Sequence, residues 1–136
     1  MRVFVKSWRA AKQRGVVLPA TEDPDYESLE HLLRHLLRAA RGYVTWIHEV
    51  LGRPDPDIPL APELETVVAE ADAYLEKLLE AWRTRLVDLP GEIVDAPTAY
   101  LSRWNAPYTI DAMLEHAVVH PMRHRLQLDE LVRAMG

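Results

Sequence analysis

The stretch TIDAMLEHAVVHPMRHRLQL, Thr109 to Leu128, decides the reading of this chain. Thr109 suits an N-cap, because its side-chain oxygen accepts a hydrogen bond from an otherwise unpaired N–H of a first helical turn. Beyond it Met113, Ala117, His120, His124, Leu128 and Leu131 recur at steps of three and four. That is the period of a helix with one face toward a core. The spacing predicts a helix to about Met135.

Two positions on that apolar face are imidazoles. Residues one turn apart on a helix have Cβ atoms about 5–6 Å apart, so His120 and His124 can close on one divalent ion at about 2.0–2.1 Å. His116 is rotated about 40° from His120, to the edge of the stripe. Buried polar rings need partners. A shared metal ion is one solution, and a pair of satisfied core histidines is the other. Spacing alone leaves both open. Pro121 adds a complication: within a helix it removes one backbone hydrogen bond at a cost of about 3 kcal/mol, and it disfavours helical angles at His120. The helix is expected to kink or restart there, which either aims His120 inward or spoils the pair.

Three more amphipathic segments precede this one. A short helix is expected over Arg2 to Arg14, stopped at Gly15, then an irregular connection from Val16 to Asp25. The second helix should run from Pro24, with Asp23 as N-cap, to Leu51. Its stripe is Leu29, Leu32, Leu36, Ala39, Tyr43, Ile47 and Val50. The third should run from Pro62 to Val87 with Leu64, Val67, Ala71, Leu75, Leu78 and Trp82 inward. Asp88 to Tyr108 reads as a long connection, with a short extended piece around Gly91 to Asp95. Four such segments without strong strand signals favour an all-α four-helix bundle, a single domain over residues 1–136.

The bulk numbers narrow the chemistry. The chain has 136 residues, six histidines, no cysteine and a net charge of −5. Without cysteine, imidazole and carboxylate are the only strong metal ligands. The sixteen basic residues form no block, which speaks against a nucleic-acid partner. No apolar run reaches the roughly 18–20 residues of a membrane span, and the first residues lack a secretory apolar core. The expectation is a soluble, cytoplasmic protein. His-Glu-x-x-His is absent, since His48-Glu49 is followed by Val50-Leu51-Gly52, and so is any Glu-x-x-His pair; this excludes zincin and di-iron carboxylate readings. The third helix has no histidine, so a hemerythrin-like centre is not expected. What remains is a mononuclear site between helices two and four. On helix two, His35 lies beside the core line, His31 one turn earlier, and His48 opposite the stripe, toward solvent.

At this point the chain resembles the DinB/YfiT-like family of metalloenzymes. Helix two, LLRHLLRAARGYVTW from Leu32 to Trp46, is similar to that family's second-helix histidine followed by small, charged and aromatic residues. Helix four is similar to its closing His-x-x-x-His followed by Arg-Gly-Gln, with Leu126 in place of the glycine. The long connection before helix four also fits, whereas the first helix is shorter than usual. The resemblance implies an up-down-down-up four-helix bundle, often a homodimer. It implies a divalent ion, zinc, nickel or iron, held by His35, His120 and His124, the fourth position being water or substrate. His116 matches a family histidine that is not a ligand.

The expected function is therefore a metal-dependent enzyme acting on a small molecule. It would be a low-molecular-weight-thiol S-transferase of the mycothiol or bacillithiol type, or a hydrolase. The alternative is a non-catalytic, stress-associated or interaction bundle with a structural metal or none. No general acid or base is singled out by spacing. An acceptor for the outer nitrogen of each ligand is expected, with Glu115 or Tyr43 as candidates. Arg125-x-Gln127 reads as a helix-packing or ligand-supporting element, with Arg123 and Arg125 as solvated charges its alternative. The four tryptophans read as packing residues, with a dimer interface as the alternative for Trp8. A DNA-associated role follows only from the family's name, and the acidic balance opposes it.

Overall fold

The computed structural model describes all 136 residues. Four long helices dominate: α1 (Arg2–Gln13), α2 (Leu29–Val50), α3 (Val67–Arg85) and α5 (Ile110–Ala134). A single helical turn, α4 (Gly91–Val94), and an antiparallel two-stranded hairpin, β1 (Tyr100–Leu101) and β2 (Pro107–Tyr108), occupy the long connection before α5.

The caps explain the boundaries. Thr109 begins α5 as expected, accepting from the Ala112 N–H at 3.1 Å. Asp23 also caps, accepting from the Asp25 N–H at 3.0 Å, but it caps only a 3₁₀ turn over Pro24–Tyr26. The true start of α2 is at Ser28, whose hydroxyl accepts from the His31 N–H. Helix α3 begins at Val67, later than the expected Pro62. The piece expected to be extended around Gly91 to Asp95 is the helical turn α4 instead, and the extended backbone falls on the hairpin farther along. Left-handed backbone at Gly15 (φ 70°) and Gly52 (φ 63°) follows the ends of α1 and α2, a conformation that glycine adopts without steric cost.

Helix α5 runs through Pro121 without ending or restarting. Its cost is local: Pro121 has no N–H to offer the Ala117 carbonyl.

The core is a continuous cluster contributed by α1, α2, α3 and Leu128 of α5. Leu33, Leu36 and Leu37 of α2 are fully buried, each worth about 1.5–3 kcal/mol over an exposed position. Trp8 belongs to this core, with its indole N–H donated to the Leu29 carbonyl at 2.5 Å. At 3% exposure it has no surface left for a partner chain. A smaller cluster of Tyr43, Trp46, Ile47, Ile110 and Met113 packs against the α4–hairpin segment. The junction of α2, α5 and the 3₁₀ turn, beside that smaller cluster, carries His35, His120 and His124.

Candidate metal centre

His35 projects from the middle of α2, and His120 and His124 from consecutive turns of α5. One ring nitrogen of each lies within 4.8 Å of those of the other two. The Nε2 atoms of His35 and His120 stand 3.2 Å apart. Two nitrogens bound to one ion at about 2.0–2.1 Å with a tetrahedral angle would be about 3.3 Å apart. For this pair the observed spacing fits a shared cation without rearrangement. His124 is buried at 6% exposure, and its ring centroid lies 5.0 Å from that of His120.

The outer nitrogens explain why the inner ones converge. His35 Nδ1 meets the Asp25 carboxylate at 2.9 Å. An ionised carboxylate only accepts, so Nδ1 carries a proton, and in the neutral ring Nε2 presents a lone pair inward. His120 Nδ1 meets the Tyr43 hydroxyl at 2.7 Å. When the hydroxyl accepts, His120 Nε2 is also a lone pair. Two lone pairs 3.2 Å apart repel, so the pair calls for a cation between them or a proton on one of them. A partner on the outer nitrogen that fixes the tautomer is the usual support of a metal-bound imidazole.

The electrostatics favour neutral rings at His120 and His124. Burial, then the neighbouring imidazoles of His35 and His124, pushes the His120 ring down to about 3. Burial likewise lowers His124, opposed by the Gln127 side chain beside it. Burial, then the Asp23 and Asp25 carboxylates, raises the Tyr26 phenol. Burial also raises Tyr43, so its hydroxyl stays protonated at neutral pH. Neutral imidazole is the form a metal binds.

The remaining histidines separate cleanly. His31 turns to the N-terminal end of α2, bonded to Ser28 and near Glu27. His116 stacks on His120 at an interplanar angle of 24° and packs on Trp104 and Tyr108, outside the group of three. His48 corrects an expectation. It is buried at 6% exposure rather than facing solvent, with Nδ1 2.7 Å from the Pro54 carbonyl and Nε2 3.0 Å from that of Arg85. The loop after α2 and the end of α3 fold over it.

Of the two expected supporting acceptors, Tyr43 is in place and Glu115 is exposed and bonded to no histidine. Asp25 was not anticipated. Its only sequence signal was its place in the capped turn Asp23-Pro24-Asp25, and nothing there points to a histidine ten residues on. Gln127 lies against His124, whereas the Arg125 guanidinium turns to Asp129 at 3.8 Å.

Two pockets open on the cluster. One, of about 560 Å³, is lined by His35, His120, Tyr43, Arg38 and Trp104 among others. The second, of about 590 Å³, reaches His120, His124, Arg123 and Gln127 from the other side. Tyr26, His116 and His120 line both. No helix is long and apolar enough to cross a membrane.

A family model described as the DinB family matches residues 18–136. No curated protein and no solved structure matches the chain.

Proposed function

Because this chain belongs to the DinB family, we propose that it is a metal-dependent enzyme acting at His35, His120 and His124, with an up-down-down-up four-helix bundle as its frame. The single observation that carries the proposal is the convergence of three imidazole nitrogens within 4.8 Å, where two pockets meet. The group contains no fourth histidine or carboxylate. Structural zinc sites are closed by four protein ligands, whereas catalytic ones keep a position open. The donor set supports the catalytic reading over a structural metal.

A divalent ion, zinc, nickel or iron, would supply Lewis acidity and favour the deprotonated form of a thiol or water placed beside it. The residues of this chain do the rest. Asp25 holds the His35 ring in one tautomer, and Tyr43 orients His120. The packing of Tyr26 against the His35 and His124 rings, at centroid distances of 5.5 and 5.4 Å, limits water on that side. Either pocket has the volume of a small-molecule site. We favour transfer to or from a low-molecular-weight thiol, with hydrolysis as the neighbouring chemistry. The reading includes a cytoplasmic homodimer with no nucleic-acid or membrane partner, in keeping with the acidic charge balance.

The test is spectroscopic. Protein loaded with cobalt(II) is titrated with a small thiol such as cysteamine, and the near-ultraviolet spectrum is followed. A thiolate-to-cobalt charge-transfer band that grows to saturation is expected, and it should be absent after His124→Ala. A spectrum that thiol leaves unchanged contradicts the thiol-dependent reading.

A further inference from the structure

The hairpin between α4 and α5 holds its loop firmly while leaving two large side chains at the surface. Ser102, buried at 4% exposure, closes the loop. Its N–H donates to the Ala106 carbonyl at 2.8 Å, and its hydroxyl accepts from the Ala106 N–H at 3.1 Å. The Asn105 N–H returns to the Ser102 carbonyl at 3.1 Å, with Asn105 itself in left-handed backbone at φ 60°. Asparagine tolerates that conformation better than other residues with a side chain, which suits it to this turn. The Trp46 indole N–H fastens the hairpin to α2 through the Leu101 carbonyl at 3.0 Å. The loop so secured carries Arg103 and Trp104.

Both residues line the pocket that reaches His35 and His120, together with Arg38 and Arg41 of α2. None of the three guanidiniums is saturated. Arg103 has one partner, Glu49 at 3.4 Å, and Arg38 has one, Asp25 at 3.5 Å. Arg41 spends its Nε on the carbonyls of Ile58 and Pro59, at 2.9 and 3.1 Å. Its terminal nitrogens make no hydrogen bond. A guanidinium offers five N–H donors, so the pocket mouth holds a surplus of cationic donors. Trp104, 47% exposed, is already ordered against the His116 ring at 5.3 Å, which leaves indole surface free on the pocket side.

We propose that this pocket is the substrate subsite of the same centre and selects a small anion: a carboxylate or phosphate held by Arg103 with Arg38 and Arg41, on a planar apolar body packed against Trp104. The inference deepens the enzymatic reading and rests on it for the word substrate. The binding site itself stands on the hairpin and the arginines.

Calorimetry with three probes sharing one ring system tests it: 1-naphthoate, 1-naphthyl phosphate and the neutral 1-naphthylmethanol. The protein carries His124→Ala, so that a bound ion contributes nothing. Wild-type protein stripped by a chelator serves if that variant does not fold. At least one anion should bind about tenfold or more tighter than the alcohol, as charge-assisted bonds to arginine warrant. Arg103→Gln should remove most of that preference and leave the alcohol unaffected, and Trp104→Ala should weaken all three probes. Equal binding of anion and alcohol, or indifference to Arg103→Gln, overturns the subsite. Retention of metal by His124→Ala would instead count against the three-histidine reading, so the two failures are distinguishable.

Discussion

His35 and His48 share one helix, yet their rings do opposite things. The backbone closes around His48: each ring nitrogen faces a carbonyl oxygen, one from the loop after α2 and one from the end of α3. At His35 the protein meets only the outer nitrogen, through Asp25, and the inner one faces two more imidazoles. Residue type and helix are the same in the two places, although His48 is buried and His35 only partly so. What lies beyond each nitrogen differs, and that separates a fastening from a site.

The comparison can be broken at either end. His120→Ala should lower divalent-ion affinity by more than the roughly 10–100-fold that follows loss of an outer-shell partner. His48→Ala should leave that affinity unchanged. Competitive titration with a chromogenic chelator reads both, and a matching loss in the two variants would erase the distinction. The stability effect should fall on the other side. His48→Ala removes the ring set between the Pro54 and Arg85 carbonyls. A neutral imidazole donates to one of them, so the loss should be about 0.5–1.5 kcal/mol and thermal unfolding should come roughly 3–5 °C earlier. An unchanged melting temperature would mean that His48 fastens nothing.

Asp25→Asn sharpens the comparison more gently. The amide holds the His35 ring less firmly than the carboxylate, so ion affinity should drop about 10–100-fold while the helical content stays intact. Wild-type affinity in this variant would remove Asp25 from the site.

A smaller effect follows from the depressed His120 ring. The unfolded chain takes up a proton there as pH falls through about 6.5, and the folded chain only near 3. Between these values the unfolded state binds more protons, so the ion-free protein should lose stability as pH falls from about 6.5. Above that pH the ring contributes nothing to the slope. One ring contributes at most about 1.4 kcal/mol per pH unit, and less here because it is only partly buried and its charge interactions are screened. Urea titrations at several pH values, with His120→Gln as control, isolate this contribution. Identical slopes would exclude it.

The helices were legible because each buries a stripe with a three-four period, which the sequence displays directly. Thr109 was legible as a cap for the same local reason. The start of α2 was not, because Asp23 and Ser28 are both good caps and the proline after Asp23 favoured the wrong one. His120 and His124 were legible as a pair, one turn apart on an apolar face. His35 needed the family resemblance as well, since His31 had a rival claim. His48 was misread because its burial comes from segments that cross over α2 from elsewhere, which no periodicity within α2 records. Asp25 and the hairpin residues Arg103 and Trp104 were invisible for the same reason. They reach the site through turns, where position depends on tertiary packing.

The central claim is that three imidazoles from α2 and α5 form one ion site. Elemental analysis of protein purified without a histidine tag, beside the combined His35→Ala, His120→Ala and His124→Ala variant, tests it most directly. The account predicts about one equivalent of a divalent transition metal per chain in the wild type and none in the variant. A wild type that binds no such metal, even when it is supplied, would contradict it, as would a metal content that survives removal of all three rings.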